Sequence, residues 1–177
     1  MDTERLVIRR FRADDWIDLH EYLSQPETVK YEPYGVFAEG ESRMEALRRS
    51  GDDTFWAVCL KGTGKLIGNV FLAEQAFGTW ELGYVFNAGF LGQGYATEAA
   101  RALIDYAFEN NAHRIAAMCN PLNERSWELL ERLGMRREGV LLQNVFFKAD
   151  EQGKPIWQDT YEYAVLRDEW EVGKQIR

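Results

Sequence analysis

The sequence predicts an α/β fold of the α+β kind, a mixed sheet of about seven mostly antiparallel strands with helices on both faces. Three observations predict it. Short apolar runs rich in β-branched and aromatic residues, "TFWAVCL", "KLIGNVFLAE" and "TWELGYVFN", are separated by Gly-containing breaks at 61–64 and 77–78, which reads as an antiparallel meander. The apolar period then changes after Ala96, where Ala99, Ala100, Leu103, Ile104, Ala107 and Phe108 fall on one helical face. A strand on either side of that helix implies a right-handed parallel crossover inside an otherwise antiparallel sheet.

The elements follow in order. "RLVIRRF" alternates Leu6 and Ile8 with charged positions and reads as a strand, and "DDWIDLHEYL" follows as a helix opened by an acidic cap. "AEGESRMEALRRS" is a second, polar helix expected on the surface. After the meander and the long helix, "HRIAAMCN" reads as a buried strand, and "NERSWELLERLG" as a helix capped by Asn123 and stopped by Gly134. "GVLLQNVFF" and "PIWQDTYEYAVL" close the sheet as a long hairpin over the turn at Asp150 to Lys154. Without a repeat, low-complexity tract or linker, residues 1–177 read as a single domain.

Composition excludes several classes of function. At 46% hydrophobic and 14% aromatic the chain is neither disordered nor fibrous. A formal charge of −8 argues against nucleic acid or an anionic membrane as partner, since phosphate polymers select an excess of Lys and Arg. Cys59 and Cys119 are too few for a disulfide framework, and no apolar run has the length of a signal or a membrane span. The expectation is a cytoplasmic protein with reduced thiols. His20 and His113 share no metal-ligand spacing with each other or with the cysteines and read as structural, so no metal is expected.

The stretch "FLGQGYATEA" carries the chemistry. Two glycines flank Gln93 just before the long amphipathic helix, and a helix N-terminus behind a glycine-rich turn offers unpaired N–H groups and a positive dipole end to a phosphate. Two familiar phosphate loops do not fit. Thr97 stands where a dinucleotide fingerprint needs its third glycine, the next strand ends in Cys119 rather than an acid, and no Gly-Lys-Ser/Thr exists for a P-loop.

These residues resemble the GNAT N-acetyltransferases, and within them the RimJ/RimL type, the ribosomal-protein-alanine N-acetyltransferases. The family's loop, Gln/Arg-x-x-Gly-x-Gly/Ala, is matched by Leu91, Gly92, Gln93, Gly94, Tyr95 and Ala96, except that Leu91 replaces the first residue. The likeness extends to "TERLVIRRFRADD", "ELGYVF", "NPLNERSWELLERLGMRREG" and "DTYEYAVLRDEW". It implies acetyl-coenzyme A as cosubstrate, with the amides from Gly92 to Thr97 around its pyrophosphate. It also implies a sheet split between the strands ending at Asn87 and Asn120, with the pantetheine arm in the gap. A bulge there would turn an amide of Val85 or Phe86 toward the thioester oxygen.

The resemblance assigns further roles residue by residue. Asn123 matches the Asn that contacts the coenzyme arm, and Ser126 the RimL-type Ser that protonates the departing thiolate. Leu130 occupies the place where many GNAT enzymes carry a Tyr for that task. Glu81, on the strand bordering the acetyl group, is the candidate base, because an amine with a pKa of about 8 to 10 arrives mostly protonated. A RimL-type base shortly after the "EG" turn aligns with Val145 instead. The segment Tyr31 to Glu41, with Glu32, Tyr34, Glu39 and Glu41, would wall the acceptor cleft, opposite the strands carrying "NVFFKADEQGKPIWQ". Acceptors implied are a peptide N-terminus or a small amine, polyamines and aminoglycosides included, and a non-catalytic acyl-coenzyme A sensor is the alternative class. The family often forms dimers, so a second copy of the chain is a candidate partner.

Overall fold

A computed structural model describes residues 1–176, with side chains through Lys174. The strands are β1 (Leu6–Arg10), β2 (Phe55–Leu60), β3 (Leu66–Glu74), β4 (Thr79–Phe86), β5 (Arg114–Cys119), β6 (Arg136–Ala149) and β7 (Pro155–Leu166). The helices are α1 (Trp16–Leu23), α2 (Glu39–Ser50), α3 (Tyr95–Glu109), α4 (Glu124–Leu133) and α5 (Arg167–Ile176). The seven strands form one sheet in the order β1-β2-β3-β4-β5-β7-β6. The expected mixed, mostly antiparallel sheet is therefore present, and α5 is an addition that the patterning of "RDEWEVGKQI" did not announce. The chain divides into two compact units.

The first unit comprises residues 1–30, 35–73 and 83–103. β1 pairs antiparallel with β2 from Leu6↔Leu60 to Arg10↔Trp56, so Leu6 and Ile8 point inward and are fully buried, as their alternation requires. β2 pairs antiparallel with β3, with a register break between Val58, opposite Gly68, and Cys59, opposite Leu66. α1 buries Leu19, Tyr22 and Leu23. The acidic residue expected to cap it does something else. Asp15 accepts from Arg12 N (2.7 Å) and from both terminal nitrogens of Arg9 (2.8 and 2.6 Å), which closes the 3-10 turn Ala13–Asp15 ahead of the helix.

α2 is polar and largely exposed, yet it is anchored by a buried cation. Arg49 is 2% exposed, and its guanidinium donates to Glu45 Oε1 at 2.7 Å and Asn69 Oδ1 at 2.8 Å and lies 4.6 Å from the Phe55 ring. Tyr22 Oη donates to the same Asn69 oxygen at 2.9 Å. A buried charge is tolerable only with such pairing, so the polar helix is held by a satisfied network rather than by an apolar stripe.

The second unit comprises residues 31–34, 74–82 and 104 onward. The first half of β4 runs parallel to β5, from Thr79↔Arg114 to Leu82↔Ala117, which is the expected crossover through α3. β7 pairs antiparallel with both β5 and β6, so the return strand of the hairpin lies inside and β6 is the edge. α4 buries Leu129, Leu130 and Leu133 and stops at Gly134, whose φ of 88° needs glycine, as predicted. The Asn123 side chain makes no capping bond, although it holds the cap position. α5 docks through Trp170, which is 3% exposed and donates Nε1 to Asp105 at 2.6 Å. The hairpin turn is held by Asp150 Oδ1, which accepts from Gln152 N and Lys154 N.

Gly68 shows how tightly the end of β4 is held. A Cβ there would sit 2.6 Å from Phe86 Cδ1 and 2.7 Å from the Val85 carbonyl oxygen. Gly68→Ala is expected to destabilise the protein by about 1–3 kcal/mol, the usual cost of overpacking. Gly62→Ala, with nothing within 4 Å, is the control in the same thermal melt, and equal melting temperatures would refute the tight approach.

Candidate active site

The candidate coenzyme loop lies in the first unit. β4 ends at Phe86, a short turn occupies Ala88–Phe90, and the backbone becomes left-handed at Gly92 (φ 75°) and Gly94 (φ 82°) before α3 begins. A Cβ at Gly92 would meet open space, so glycine is needed there for its conformation. Glu98 N donates to Gly94 O at 3.0 Å, the first bond of the helix. Helix geometry therefore leaves the amides of Gly94, Tyr95, Ala96 and Thr97 without partners inside α3, at its positive end. Leu91 to Gly94 are exposed, and Tyr95, Ala96 and Thr97 are half-buried.

A cation and a carboxylate fix this loop. Arg5 donates Nη1 to Gln93 O (2.9 Å) and Nε to Glu98 Oε2 (2.7 Å), and its guanidinium lies 4.5 Å from the Tyr95 ring centroid. Glu98 Oε1 also accepts from Arg5 N (2.9 Å) and Thr3 Oγ1 (2.5 Å). Burial pushes the Glu98 carboxyl up, but the bonds from Thr3 and Arg5 outweigh it and hold the group below the usual carboxylate range. Sequence reasoning missed both residues. Within "TERL" and "ATEA" they look like ordinary solvated charges, and only their separation of 93 residues closing to one ion pair reveals the clamp.

The second unit gathers a different group. Cys119 at the end of β5 is buried, with Ser126, in the first turn of α4, beside it. Burial pushes the Cys119 thiol up to about 11, against the hydrogen bond from Ser126 and the charge of Arg137. The thiol therefore stays neutral at physiological pH and is a weak acceptor. Ser126 N donates to Asn123 O at 2.9 Å, so Asn123 and Ser126 share one turn as their spacing requires. Tyr31 Oη donates to Leu122 O at 2.9 Å, which ties residues 31–34, including half-buried Glu32 and Tyr34, to the loop before Asn123.

Glu81 sits opposite Ala116 on β5, half-buried, and accepts from Gln75 Nε2 at 3.2 Å. Glu39 and Glu41 lie at the start of α2, where Glu39 pairs with Arg43 at 2.8 Å and Glu41 accepts from Ala38 N at 2.7 Å. Their carboxylates serve that helix. Val85 and Phe86 are nearly fully buried at the end of β4. His20 Nδ1 meets Ser42 Oγ at 3.0 Å, and His113 N donates to Gly78 O at 2.8 Å.

Comparison with known proteins gives this arrangement its family. The model of the acetyltransferase (GNAT) domain matches residues 5–136. The chain belongs to the GNAT acetyltransferase family. An uncharacterized N-acetyltransferase of Bacillus subtilis strain 168, YnaD, is 40% identical over 172 residues, covering 95% of this chain and 97% of that protein. The crystal structure of a GNAT-family acetyltransferase from Bacillus anthracis superposes with a TM-score of 0.86 at 38% identity, over 95% of this chain and 98% of that one. The RimJ/RimL likeness is more distant. The [ribosomal protein uS5]-alanine N-acetyltransferase of Escherichia coli strain K12 is 26% identical over 188 residues, 98% of this chain and 94% of that enzyme.

The chain is thus an N-acetyltransferase, of a family that uses acetyl-coenzyme A. Among the described residues, no helix is long and apolar enough to cross a membrane.

Two predictions follow from the Arg5–Glu98 clamp. Arg5→Ala is expected to raise the KM for acetyl-coenzyme A about tenfold, equivalent to about 1.4 kcal/mol, with kcat nearly unchanged. Steady-state kinetics checks it, and an unchanged KM would separate the clamp from coenzyme binding. Because the Glu98 carboxyl is lowered in the folded state, its contribution to stability is complete above the unfolded value of about 4.3 and is lost as pH falls through the lowered folded value. In denaturant titrations below about pH 4.3, the stability advantage of wild type over Glu98→Gln should therefore shrink.

Proposed function

We propose that the chain moves the acetyl group of acetyl-coenzyme A to a primary amine, a protein N-terminal α-amine or a small-molecule amine, by direct attack. The observation that carries this reading is the left-handed Gly92 and Gly94 pair, which opens α3 with its amides unbonded inside the helix and is held in place by Arg5. In this reading the amides from Gly92 to Thr97 receive the pyrophosphate, with Leu91, Gln93, Tyr95 and Ala96 supplying the rest of the loop. Asn123 contacts the coenzyme arm. An amide of Val85 or Phe86 stabilises the developing oxyanion, often the largest single catalytic contribution. The 177 residues act as one catalytic domain in the cytoplasm, of RimJ/RimL type and capable of pairing with a second copy of itself.

Proton movements divide between two side chains. Glu81, or a water chain leading to it, accepts the amine proton. Ser126 turns from the neutral thiol of Cys119 toward the departing coenzyme thiolate, which is a stronger acceptor and the site of developing charge. Glu32 and Tyr34 contribute to the wall that receives the amine.

Incubating the protein with acetyl-coenzyme A and a panel of N-terminal peptides, polyamines and aminoglycosides tests the activity, read as free thiol released in proportion to amine. Coenzyme binding with no release on any amine would favour a sensor. Gly94→Asp places a carboxylate and a Cβ in the left-handed loop, and coenzyme affinity by calorimetry should fall at least about tenfold. Unchanged affinity in a folded variant would remove the phosphate-loop reading.

The acid and base roles separate by pH. Ser126→Ala should lower kcat about a hundredfold with little change in the KM for acetyl-coenzyme A. Glu81→Gln should cost more at neutral pH and recover partly at high pH, where the amine is already neutral. Profiles of kcat from about pH 6 to about pH 10 decide between them, since a wild-type profile for Glu81→Gln would make Glu81 structural.

A further inference from the structure

Asn87, immediately after β4, is 1% exposed, and every polar atom it owns is used. Its Oδ1 accepts from Gly89 N at 2.9 Å and from Gln25 Nε2 at 3.1 Å. Its Nδ2 donates to Glu21 Oε1 at 2.8 Å. On the main chain, Asn87 N donates to Ile67 O at 2.9 Å and Asn87 O accepts from Phe90 N at 3.0 Å. An ionised carboxylate accepts but cannot donate, whereas the amide accepts twice at Oδ1 and donates from a separate atom, Nδ2.

The partners are themselves held. Gln25 Oε1 accepts from Ala88 N at 3.0 Å and from Thr28 Oγ1 at 2.8 Å. Glu21 Oε2 pairs with Lys65 at 2.6 Å, and the bond from Lys65, against the cost of burial and with help from Asn87, keeps the Glu21 carboxyl ionised below its ordinary range. On β3, the Val85 carbonyl and the Phe86 ring press so closely that Gly68 has no room for a Cβ. Thus the three residues Val85, Phe86 and Asn87 are fixed by contacts with β3 and by the side chains of Glu21 and Gln25. The pyrophosphate loop, five residues further on, has its own clamp in Arg5 and Glu98.

From this division we infer that Asn87, held by Glu21 and Gln25, is a positioning residue for acetyl transfer: it fixes the Val85–Phe86 backbone against the thioester, separately from the loop that binds the coenzyme pyrophosphate. The inference rests on the proposed oxyanion role of that backbone. With Asn87 itself buried and held by several directional bonds, few arrangements of this turn are low in energy, and an amide donor misplaced by a fraction of an ångström loses much of its effect on a developing oxyanion. Asn87 touches no reacting atom in this account and acts through the main chain beside it.

The test exploits the one donation that the Asn87 side chain makes. Asn87→Asp keeps the size and both acceptances but sets a second carboxylate against Glu21. Glu21→Gln in that background restores one donor and one acceptor with their roles exchanged. Asn87→Asp is expected to lower kcat at saturating acetyl-coenzyme A at least about tenfold, while the Kd for coenzyme A by calorimetry changes less than about threefold. The Asn87→Asp/Glu21→Gln double variant should return kcat to within about threefold of wild type.

An undiminished kcat in folded Asn87→Asp would overturn the inference, as would equal losses in kcat and coenzyme affinity, or a double variant no better than the single one. Should Asn87→Asp fail to fold, Gln25→Ala, which removes only half-buried contacts, carries the test. It should lower kcat several-fold with coenzyme affinity kept, and a wild-type kcat would again overturn the inference. Failure of the underlying reading looks different, for then the wild type releases no thiol with any amine or Gly94→Asp binds coenzyme normally.

Discussion

An α-helix that begins at Tyr95 leaves its first amides without internal partners, and a protein can accept that only where something else receives them. The first unit is organised around this constraint. Gly92 and Gly94 bring the chain through two left-handed residues, so that α3 starts with its amides directed past its own end. Arg5 and Glu98 then join the start of β1 to the first turn of α3 across 93 residues of sequence. Asn87, Gln25 and Glu21 fix the strand end from which the loop departs. None of these contacts buries much apolar surface; their contribution is geometric definition of the backbone around the proposed coenzyme loop.

The excess of acidic residues takes on a different meaning in this light. A net charge of −8 suggests an acidic surface open to cations, yet many carboxylates have internal employment. Glu98 holds Arg5 and Thr3, Glu21 holds Asn87 and Lys65, Asp18 accepts from Lys65 and Leu66 N, Asp15 holds Arg9, and Glu45 pairs with buried Arg49. Charge-assisted hydrogen bonds of this kind are stronger than neutral ones and fix direction. Exposed pairs such as Arg132 with Glu128 add little by comparison.

The second unit sets an unreactive thiol beside the Ser126 of the proposed mechanism. Burial keeps Cys119 a neutral thiol, neither nucleophile nor strong acceptor, which in the proposed mechanism leaves Ser126 able to turn toward a coenzyme thiolate. The same unit carries apolar residues on its edge hairpin that the alternation rule would have buried. Leu142 on the edge strand β6 is 75% exposed, next to left-handed Gln143 and register breaks, and Trp157 on the neighbouring β7 is 50% exposed.

The sequence by itself determined most of the elements and the family, whose members use acetyl-coenzyme A. The alternation of Leu6 and Ile8, the helical face from Ala99 to Phe108 and the stop at Gly134 are local patterns whose periods match the structures that bury them. The Gly-x-Gly turn was legible for the same reason, since a left-handed backbone before a helix can be recognised within a few residues. Tertiary structure decided what depends on chain segments remote in sequence. It turned Asp15 from a helix cap into a partner of Arg9, drew Arg49 inward against Asn69 and joined Arg5 to Glu98. It also gave Asn87, one Asn in a turn, partners from α1, from Gln25 just after it and from β3. Polar side chains carry no periodic signal of burial, because what makes them tolerable inside a protein is a partner, and partners are assigned only when the chain has folded.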